Sequence, residues 1–302
     1  MPELPEVEMF KRYLDSTSLH QRITSVEVRD AYVLQDISGR ELARRLKGRR
    51  FESSRRHGKH LFMRADGDPP SPRLRRASLW LRLHFGMTGS LEYLKQQEAS
   101  KTARVIFCFA NNRRLAFEDQ RKFGEIELTE DVNEYLKKRA LGPDALDVDL
   151  AQFKNILPKH RGAVKSILLN QKLIAGIGNI YADEILFRAR IHPATQTSAL
   201  KEKAVTRLFR ATRYILEKAI ESKADIDLMP KSWLLPRRGK GRKCPRCRRE
   251  LKSATIGGRT AWFCAHCQKR PQPRLPTAVS HCSISRSVSA FFGAAPSTSL
   301  SK

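Results

Sequence analysis

The chain has 302 residues, enough for one large or two modest domains, and its 40% hydrophobic content fits a globular protein. Its 58 Lys and Arg residues against 31 Asp and Glu residues give a formal charge of +27, which opposes compact folding unless a polyanion neutralises it. Nucleic acid is the partner that this charge favours, although a merely soluble basic protein or one bound to an anionic membrane would also carry it. No apolar run approaches the ~20 residues of a membrane span and no signal peptide opens the sequence, so we expect a cytoplasmic protein.

The N-terminus crowds two prolines and three glutamates into the stretch PELPEVE. Apolar residues recur at helical spacing from Leu4, so we predict that the first helix begins almost at the start of the chain. Removal of Met1 would leave Pro2 as a secondary amine, and an α-amino group has a reference pKa of about 7.7–8.0, so part of it is neutral and nucleophilic at physiological pH. Glu3 and Glu6 can relay protons beside such an amine. The same stretch also fits an ordinary acidic first turn with a proline near its first position.

From about residue 22 to 128, short strands with β-branched or aromatic alternation replace the helical pattern. Asn111-Asn112 is typical of a hairpin turn, and residues 67–76 fit a basic surface loop between two strands. This half of the chain is therefore predicted to be a β-sandwich or flattened barrel.

Two glycine-punctuated stretches in this half carry side chains that suit a wedge into DNA. HFGMTGSL contains Met87, and DQRKFG contains Arg121 and Phe123. Apolar side chains can enter the base stack while a guanidinium bonds the orphaned base. Taken singly, Met87 and Phe123 are also compatible with an ordinary core.

Beyond residue 141 the pattern is helical, with four candidate helices: DLAQFKNIL, AVKSILLNQ, NIYADEILFRA and KAVTRLFRATRYILEKAIES. The second contains Lys165, which we include among the residues expected to contact DNA. Between the second and third, Gly176 and Gly178 form a turn that is followed by Asn179 at the position expected of an N-cap. Such a turn can bring backbone N–H groups close to a phosphate, although a plain helix–helix corner has the same pattern.

Four of the six cysteines fall into two CxxC pairs that are separated by sixteen residues: Cys244, Cys247, Cys264 and Cys267. Each pair puts two thiolates on one side of a tight turn, so the two pairs complete a tetrahedral site for one structural Zn²⁺. A redox dithiol would explain one pair but not two at this spacing. His266 is expected to be a bystander, and Cys108 and Cys282 stand apart from the site.

Between the two cysteine pairs, Gly257-Gly258 predicts a hairpin turn with Arg259 at its tip. An arginine held there can reach a phosphate or a groove, but it also fits an exposed residue on a basic surface. From about Pro271, a mixture of Pro, Ser, Ala and Thr without periodicity predicts a disordered tail.

PELPEVE, LGPDAL, GIGNIYADE and the CxxC…CxxC end, in this order, resemble the formamidopyrimidine-DNA glycosylase (Fpg/MutM) and endonuclease VIII family over residues 1–269. The opening PELPE and the wedge residues favour the Fpg branch. The resemblance implies an α+β fold: an N-terminal helix plus β-sandwich domain (1–130), a helical helix-two-turn-helix domain (131–235), a four-cysteine zinc ribbon (236–270) and a tail (271–302). It also implies a bifunctional glycosylase and abasic-site lyase that acts as a monomer on double-stranded DNA containing oxidised bases or abasic sites.

The resemblance assigns catalytic roles to five residues. Pro2 would be the Schiff-base nucleophile, Glu3 the proton donor or acceptor, and Glu6 a supporting carboxylate. Lys59 would contact the lesion and serve in β-elimination, and Arg259 would grip a phosphate and assist δ-elimination.

The resemblance also assigns contacts with DNA. His84 and Asn179 would pinch the phosphates around the flipped nucleotide. Met87, Arg121 and Phe123 would fill the gap left by the extruded base, which must leave the stack before C1′ can be attacked.

The sequence departs from the family pattern at several places, of which the segment 223–243 concerns lesion choice. Gln120 replaces the proline of the family's DPRRFG, and the segment 223–243 is short and lacks the glycine–threonine run that folds over 8-oxoguanine in Fpg. We therefore expect oxidised purines as substrates, with oxidised pyrimidines or hydantoins as the alternative. A non-catalytic zinc-ribbon protein that only recognises damaged duplex is the alternative from another class, and the intact Pro2, Glu3 and Lys59 argue against it.

Overall fold

The computed structural model describes residues 1–67, 79–95 and 100–270. The predicted loop after Gly67, the predicted tail 271–302 and Cys282 lie outside these residues. The helices and strands, apart from short 3-10 turns, are α1 (Leu4–Thr17), β1 (Ile23–Val28), α2 (Gly39–Leu46), β2 (Arg49–His57), β3 (His60–Gly67), β4 (Leu79–His84), β5 (Ser90–Lys95), β6 (Ala103–Phe109), β7 (Arg113–Glu118), β8 (Glu125–Thr129), α3 (Val132–Lys138), α4 (Leu150–Lys159), α5 (Val164–Leu169), α6 (Asn179–Ala189), α7 (Glu202–Glu221), β9 (Lys252–Ile256) and β10 (Arg259–Phe263).

Strands β1 to β8 form two antiparallel four-stranded sheets, in the orders β1-β6-β7-β5 and β2-β3-β4-β8. Apolar side chains of both sheets share one core, in which the rings of Phe51 and Phe107 meet edge to face at 5.6 Å. The predicted β-sandwich is therefore confirmed, and Asn112 takes the positive φ of +59° in the β6–β7 hairpin turn. Strands β2 and β3 and helices α2 and α3 were not predicted from the sequence.

Helices α4 to α7 coincide with the four predicted helices and enclose a second core. The 20-residue α7 buries Leu208 and Ile215 against this core and leaves charged residues on its outer side. Within residues 1–67, 79–95 and 100–270, no helix combines the length and apolar character that a membrane crossing requires.

The first helix belongs to both cores. Leu4 is fully buried in the helical core, whereas Val7 and Leu14 of the same helix are fully buried in the sandwich core. The Leu4 N–H also donates to the Gly176 carbonyl at 3.1 Å. Burial of one helix in two cores explains why the chain is ordered from its first residues instead of fraying.

The β9–β10 hairpin packs on α5. Gly257 and Gly258 take φ values of +57° and +72°, which confirms the predicted turn and places Arg259 as the first residue of β10. A Cβ on Gly257 would lie 2.4 Å from the Ser166 hydroxyl oxygen, so only glycine allows the hairpin to approach α5 this closely.

Glu184 of α6 lies beneath the segment that leads to this hairpin. Its carboxylate accepts the Leu235 N–H at 2.8 Å, and the side chain is almost fully buried. Burial raises the pKa of Glu184 to about 8, so the carboxyl group is neutral over part of the physiological range.

The raised pKa of Glu184 predicts a loss of stability as pH rises. Between the ordinary value of 4.5 and about 8, the folded state holds a proton that the unfolded state has released. This contribution is therefore fully present below the lower value and is lost as pH rises through the upper one. We expect the melting temperature to fall less steeply over this range in Glu184→Gln than in the parent protein. Melting curves that differ by the same offset at every pH would contradict this expectation.

Candidate active site

The centre of the candidate site is the carboxylate of Glu3, which is 1% exposed. Its two oxygens accept backbone N–H groups of Gly178 at 2.7 Å, Ile180 at 2.8 Å and Tyr181 at 3.2 Å. These donors belong to the N-terminus of α6, where backbone N–H groups lack partners within the helix. A Cβ on Gly178 would lie 2.3 Å from Glu3 Cδ, so this approach requires glycine.

The prediction that Asn179 is an N-cap is wrong by one position. Gly178 is the N-cap, and Asn179 is the first residue of α6. The reason is that Glu3, which directly precedes α1, supplies the carboxylate that an N-cap side chain would otherwise supply. The Asn179 amide oxygen is buried and has no hydrogen-bond partner among the described residues.

Glu6 and Tyr181 complete the surroundings of the N-terminus. Glu6 accepts the Glu3 N–H at 2.8 Å through one oxygen and the Tyr181 hydroxyl at 2.8 Å through the other. Burial and the neighbouring Glu6 carboxylate raise the pKa of Tyr181, so its phenol stays a donor. The backbone N–H that follows the half-buried Pro2 is thereby held by Glu6.

Glu3 and Lys59 perturb each other's protonation. Burial raises the pKa of Glu3, and the Lys59 cation together with the backbone N–H bonds opposes this. Burial lowers the pKa of Lys59, the carboxylate of Glu3 opposes the shift, and the cation of Arg259 adds to it. A carboxyl group that gains protons easily beside an ammonium that loses them easily is suited to proton transfer.

Lys59 follows a turn that Asp144 holds. The Gly58 N–H donates to Asp144 Oδ2 at 2.6 Å, and Arg56 forms an ion pair with the same carboxylate. Gly58 has a φ of +56°, and a Cβ there would approach that of Ala175 to 2.8 Å. Asp144 is the acidic residue of LGPDAL, and no role in the site was predicted for it. The motif LGPDAL was the only feature of the sequence that could have indicated a role for Asp144.

His84 lies at the end of β4, near Lys59. Its Nδ1 accepts the Gly86 N–H at 3.3 Å, which leaves Nε2 as the protonated nitrogen. Burial, assisted by the charge of Arg82, lowers the pKa of His84 to about 4. His84 is therefore a neutral hydrogen-bond donor at physiological pH.

The three wedge candidates come from two loops that are bonded together. The Thr88 hydroxyl donates to Asp119 at 2.6 Å, and the Arg121 N–H donates to Thr88 at 3.1 Å. The guanidinium of Arg121 lies 4.9 Å from the centroid of the Phe123 ring. Phe123 is 53% exposed and Met87 is half-buried, so Phe123 is not a core residue. The structure brings all three side chains to one end of the sandwich.

The prediction that Lys165 contacts DNA disagrees with the structure. Its side chain is 0% exposed, and Nζ donates to Asp183 at 2.6 Å and to the Thr260 carbonyl at 2.9 Å. A buried ammonium needs such partners, and they leave it unavailable to a phosphate. Asp183 also accepts the Trp262 N–H at 3.0 Å. Lys165 and Asp183 therefore fix the strand that begins with Arg259.

The four predicted zinc ligands converge at the base of the β9–β10 hairpin. Their sulfur atoms all lie within 4.8 Å of one another, with separations of 3.9 Å for Cys244–Cys267 and 3.4 Å for Cys247–Cys264. Zn–S bonds of ~2.3 Å in a tetrahedron place the sulfurs about 3.8 Å apart, so the geometry fits one Zn²⁺. All four positions are filled by protein ligands, so the ion supplies structural closure and leaves no position for substrate.

Removal of the metal is expected to disable the Arg259 hairpin. A structural zinc site contributes folding energy directly, so its loss should release β9 and β10. We expect single-turnover cleavage of an abasic duplex to fall by about 100-fold, the scale of losing one charge-stabilising group. Circular dichroism should still show the sandwich, and Cys108→Ser, away from the site, should behave like the parent. Full cleavage by protein shown to be zinc-free would contradict this.

A sandwich, a helical region and a zinc-closed hairpin that surround an N-terminal carboxylate define a class of three-part DNA glycosylases. The matching family models are the formamidopyrimidine-DNA glycosylase N-terminal domain (1–126), the formamidopyrimidine-DNA glycosylase H2TH domain (141–229) and the zinc finger found in FPG and IleRS (241–270). The formamidopyrimidine-DNA glycosylase of Solibacter usitatus is 32% identical over 280 residues, covering 89% of this chain and 100% of that protein. The chain therefore belongs to the formamidopyrimidine-DNA glycosylase family.

Two solved structures from Lactococcus lactis have the same fold. One is a complex between wild-type Fpg (MutM) and DNA containing N7-benzyl-Fapy-dG, with a TM-score of 0.79 and 32% identity. The other is a complex of wild-type Fpg with DNA containing an oxidised pyrimidine, with a TM-score of 0.79 and 30% identity. Each match covers 89% of this chain and 100% of the other. The resemblance inferred from the motifs is therefore confirmed.

Proposed function

We propose that the chain excises oxidised bases from duplex DNA and cleaves the strand at the resulting site, with the amine of Pro2 as the nucleophile. The observation that carries this proposal is the arrangement around Glu3. A buried carboxyl group adjacent to Pro2 is held by three backbone N–H groups and lies beside Lys59. A nucleophile next to a proton-transfer group that other groups orient is the arrangement required for covalent catalysis.

The first step needs Met1 to be removed, so that Pro2 carries a free secondary amine. The amine nitrogen attacks C1′, the glycosidic C1′–N bond breaks, and the base leaves with a proton. Glu3 moves protons between the amine, the sugar oxygen and the base. Opening of the sugar ring then gives an iminium ion that joins C1′ to Pro2.

The iminium ion makes the C2′ hydrogens acidic. Lys59, whose pKa burial lowers, is suited to accept one of them, and the 3′ phosphate then leaves in β-elimination. Arg259 at the hairpin tip assists loss of the 5′ phosphate in δ-elimination. Water finally hydrolyses the iminium ion and restores the Pro2 amine.

His84 and Asn179 hold the phosphates that flank the extruded nucleotide. His84 offers a neutral Nε2–H, and Asn179 has an amide without a partner among the described residues. Met87, Arg121 and Phe123 occupy the gap in the duplex, because the exposed ring and guanidinium project from loops that are firmly bonded to the sandwich.

The proposed lesion range is wider than 8-oxoguanine. The segment after α7 contains exposed Ile226 and Leu228, 47% and 60% exposed, where the family's glycine–threonine run is missing. Formamidopyrimidines are the proposed main substrates, and oxidised pyrimidines and hydantoins are further ones. The L. lactis complex with DNA containing an oxidised pyrimidine supports that extension.

Each predicted domain is proposed to contribute a different part of the active site. Residues 1–130 carry the nucleophile and the wedge, residues 131–235 the N-terminus of α6, and residues 236–270 the zinc-closed hairpin. As a base-excision repair enzyme, the protein would act as a monomer at the nucleoid.

A panel of single-lesion duplexes tests the proposed function. Cleavage is expected with abasic, formamidopyrimidine, dihydrothymine and hydantoin duplexes but not with undamaged duplex. Glu3→Gln should lose base release by about 100-fold or more while it still binds the abasic duplex. Tight binding without cleavage of any member would instead identify a non-catalytic recognition protein.

A further inference from the structure

A second cationic surface lies at the far end of α6 from Glu3. Residues 188–210 contain six Lys and Arg residues, all exposed, and one acidic residue. We call the six cations the α7 basic face: Arg188, Arg190, Lys201, Lys203, Arg207 and Arg210. The N-terminus of α6 binds Glu3, whereas Arg190 follows its last residue, so the 11-residue helix separates the two regions by about 16 Å.

The cations of this face follow a helical spacing that aligns them. Lys203, Arg207 and Arg210 are separated by four and three residues on α7, so their side chains share one side of the helix over about 10 Å. The strands of a DNA duplex carry one phosphate per ~3.4 Å of axis each, so this length faces several phosphates. The row therefore matches a linear polyanion better than a single small anion.

Grooves of about 520 and 340 Å³ border this row and share Lys203 and Arg207. The smaller one is also lined by Arg190 and Lys201 and by no acidic residue. Arg207 is anchored through Nε to the Ala189 carbonyl at 2.7 Å, and its other guanidinium nitrogens have no hydrogen bond to the described residues. The Arg207 side chain is thus held in place, and no acidic residue of the smaller groove neutralises its charge.

The chain has little with which to neutralise this face. The one acidic residue within residues 188–210 is Glu202, and it already pairs with Lys154 at 2.6 Å. Residues 271–302 contain three Lys or Arg residues and no Asp or Glu, and a second copy of the chain carries +27. An anionic partner from outside the chain is the remaining choice, and duplex DNA is the polyanion that surrounds this enzyme.

We propose that the α7 basic face binds a second duplex segment while the active site holds the first. A protein with two such surfaces can pass from one duplex to another through a ternary complex, without first dissociating into solution. The rate at which it leaves a bound duplex then depends on the concentration of competing duplex.

The test uses a labelled duplex with a stable abasic analogue, bound by the full chain and chased with unlabelled undamaged duplex. For the parent protein, the dissociation rate should rise about tenfold over a tenfold range of competitor. For Lys203→Glu/Arg210→Glu the rise should be less than about twofold. The dependence of binding of the second duplex on salt should also weaken, with its log–log slope reduced by about two.

A matched control changes the same charge elsewhere. Arg40 and Lys47 are exposed residues on and next to α2, beside the end of β2 that is opposite the Lys59 turn. Arg40→Glu/Lys47→Glu should retain the competitor dependence, and both double variants should cleave a short abasic duplex in a single turnover at the parent rate. Cleavage at the parent rate would show that the active site is intact. A loss of competitor dependence could then not be explained by a failure of the proposed function.

Three outcomes would overturn the proposal. The first is a parent dissociation rate that does not change with competitor. The second is the same dependence in Lys203→Glu/Arg210→Glu as in the parent. The third is acceleration by single-stranded RNA of equal length that matches or exceeds that of duplex, which would identify a different ligand.

Discussion

Gly178→Ala is expected to reduce base excision and strand cleavage by at least about 100-fold, the scale of a lost proton-transfer group. The new Cβ would lie 2.3 Å from Glu3 Cδ and 2.5 Å from Glu3 Oε1. Because the carboxylate is buried on all sides, it cannot yield without leaving the N–H groups of α6. Single-turnover kinetics with an abasic and a formamidopyrimidine duplex measure the effect.

Gly239→Ala is the matched control for this substitution. Its new Cβ would come no closer than 3.4 Å to Arg242 Cγ, an ordinary contact. Parent-like activity in Gly178→Ala, with a folded protein by circular dichroism, would mean that the bonds of Glu3 to α6 are not needed for catalysis.

Lys165→Met is expected to shift the products from δ-elimination towards β-elimination, because Lys165 holds the strand that begins with Arg259. The substitution removes the bond to the Thr260 carbonyl that fixes β10 next to Arg259, and it leaves Asp183 with less compensation. Breaking a buried pair costs about 3–5 kcal/mol, so the melting temperature should also fall. We expect the δ product to decrease by about tenfold, while capture of the Pro2 adduct changes little.

A second variant separates positioning from general destabilisation. Asp183→Asn keeps an acceptor for the Trp262 N–H but removes the charge that pairs with Lys165. It should show the same product shift with its own loss of stability, because Asp183 also pairs with Arg238 at 2.9 Å, and Lys47→Met, at an exposed lysine, should show neither. Equal losses of β and δ products in both variants would contradict a role of the pair in positioning Arg259.

Periodicity predicted five helices of the described residues but missed the short helices α2 and α3. Helices α1 and α4 to α7 repeat apolar residues at helical spacing because each buries one side. The Gly257-Gly258 turn and the cysteine pairs depend on local chemistry, so they too could be identified from short stretches of sequence.

Strands β2 and β3 show why the rest could not be predicted. In β2, RRFESSRRH has only Phe51 as an apolar residue, and two of its four arginines, Arg49 and Arg56, are largely buried. Arg56 is largely buried in ion pairs with Glu8 and Asp144, partners 48 and 88 positions away. A strand whose charges are satisfied by distant residues has no alternating pattern to detect.

The contacts that make the site were equally hidden. Glu3 and Gly178 are 175 positions apart, and Lys165 bonds to a carbonyl 95 positions away. The sequence indicated Lys165 as a cation in a basic protein, and only burial distinguishes a structural ammonium from one that binds phosphate. The packing of α5, which contains Lys165, against α6 and β10 supplies that information.

The central claim is that the N-terminal amine of Pro2 forms the covalent bond with DNA. Borohydride reduction during the reaction with an abasic duplex, followed by proteolysis and mass spectrometry of the adduct, tests it most directly. We predict one stable adduct on the peptide that begins with Pro2, formed only by protein from which Met1 has been removed. An adduct on Lys59, or efficient cleavage with no adduct at Pro2, would contradict the account.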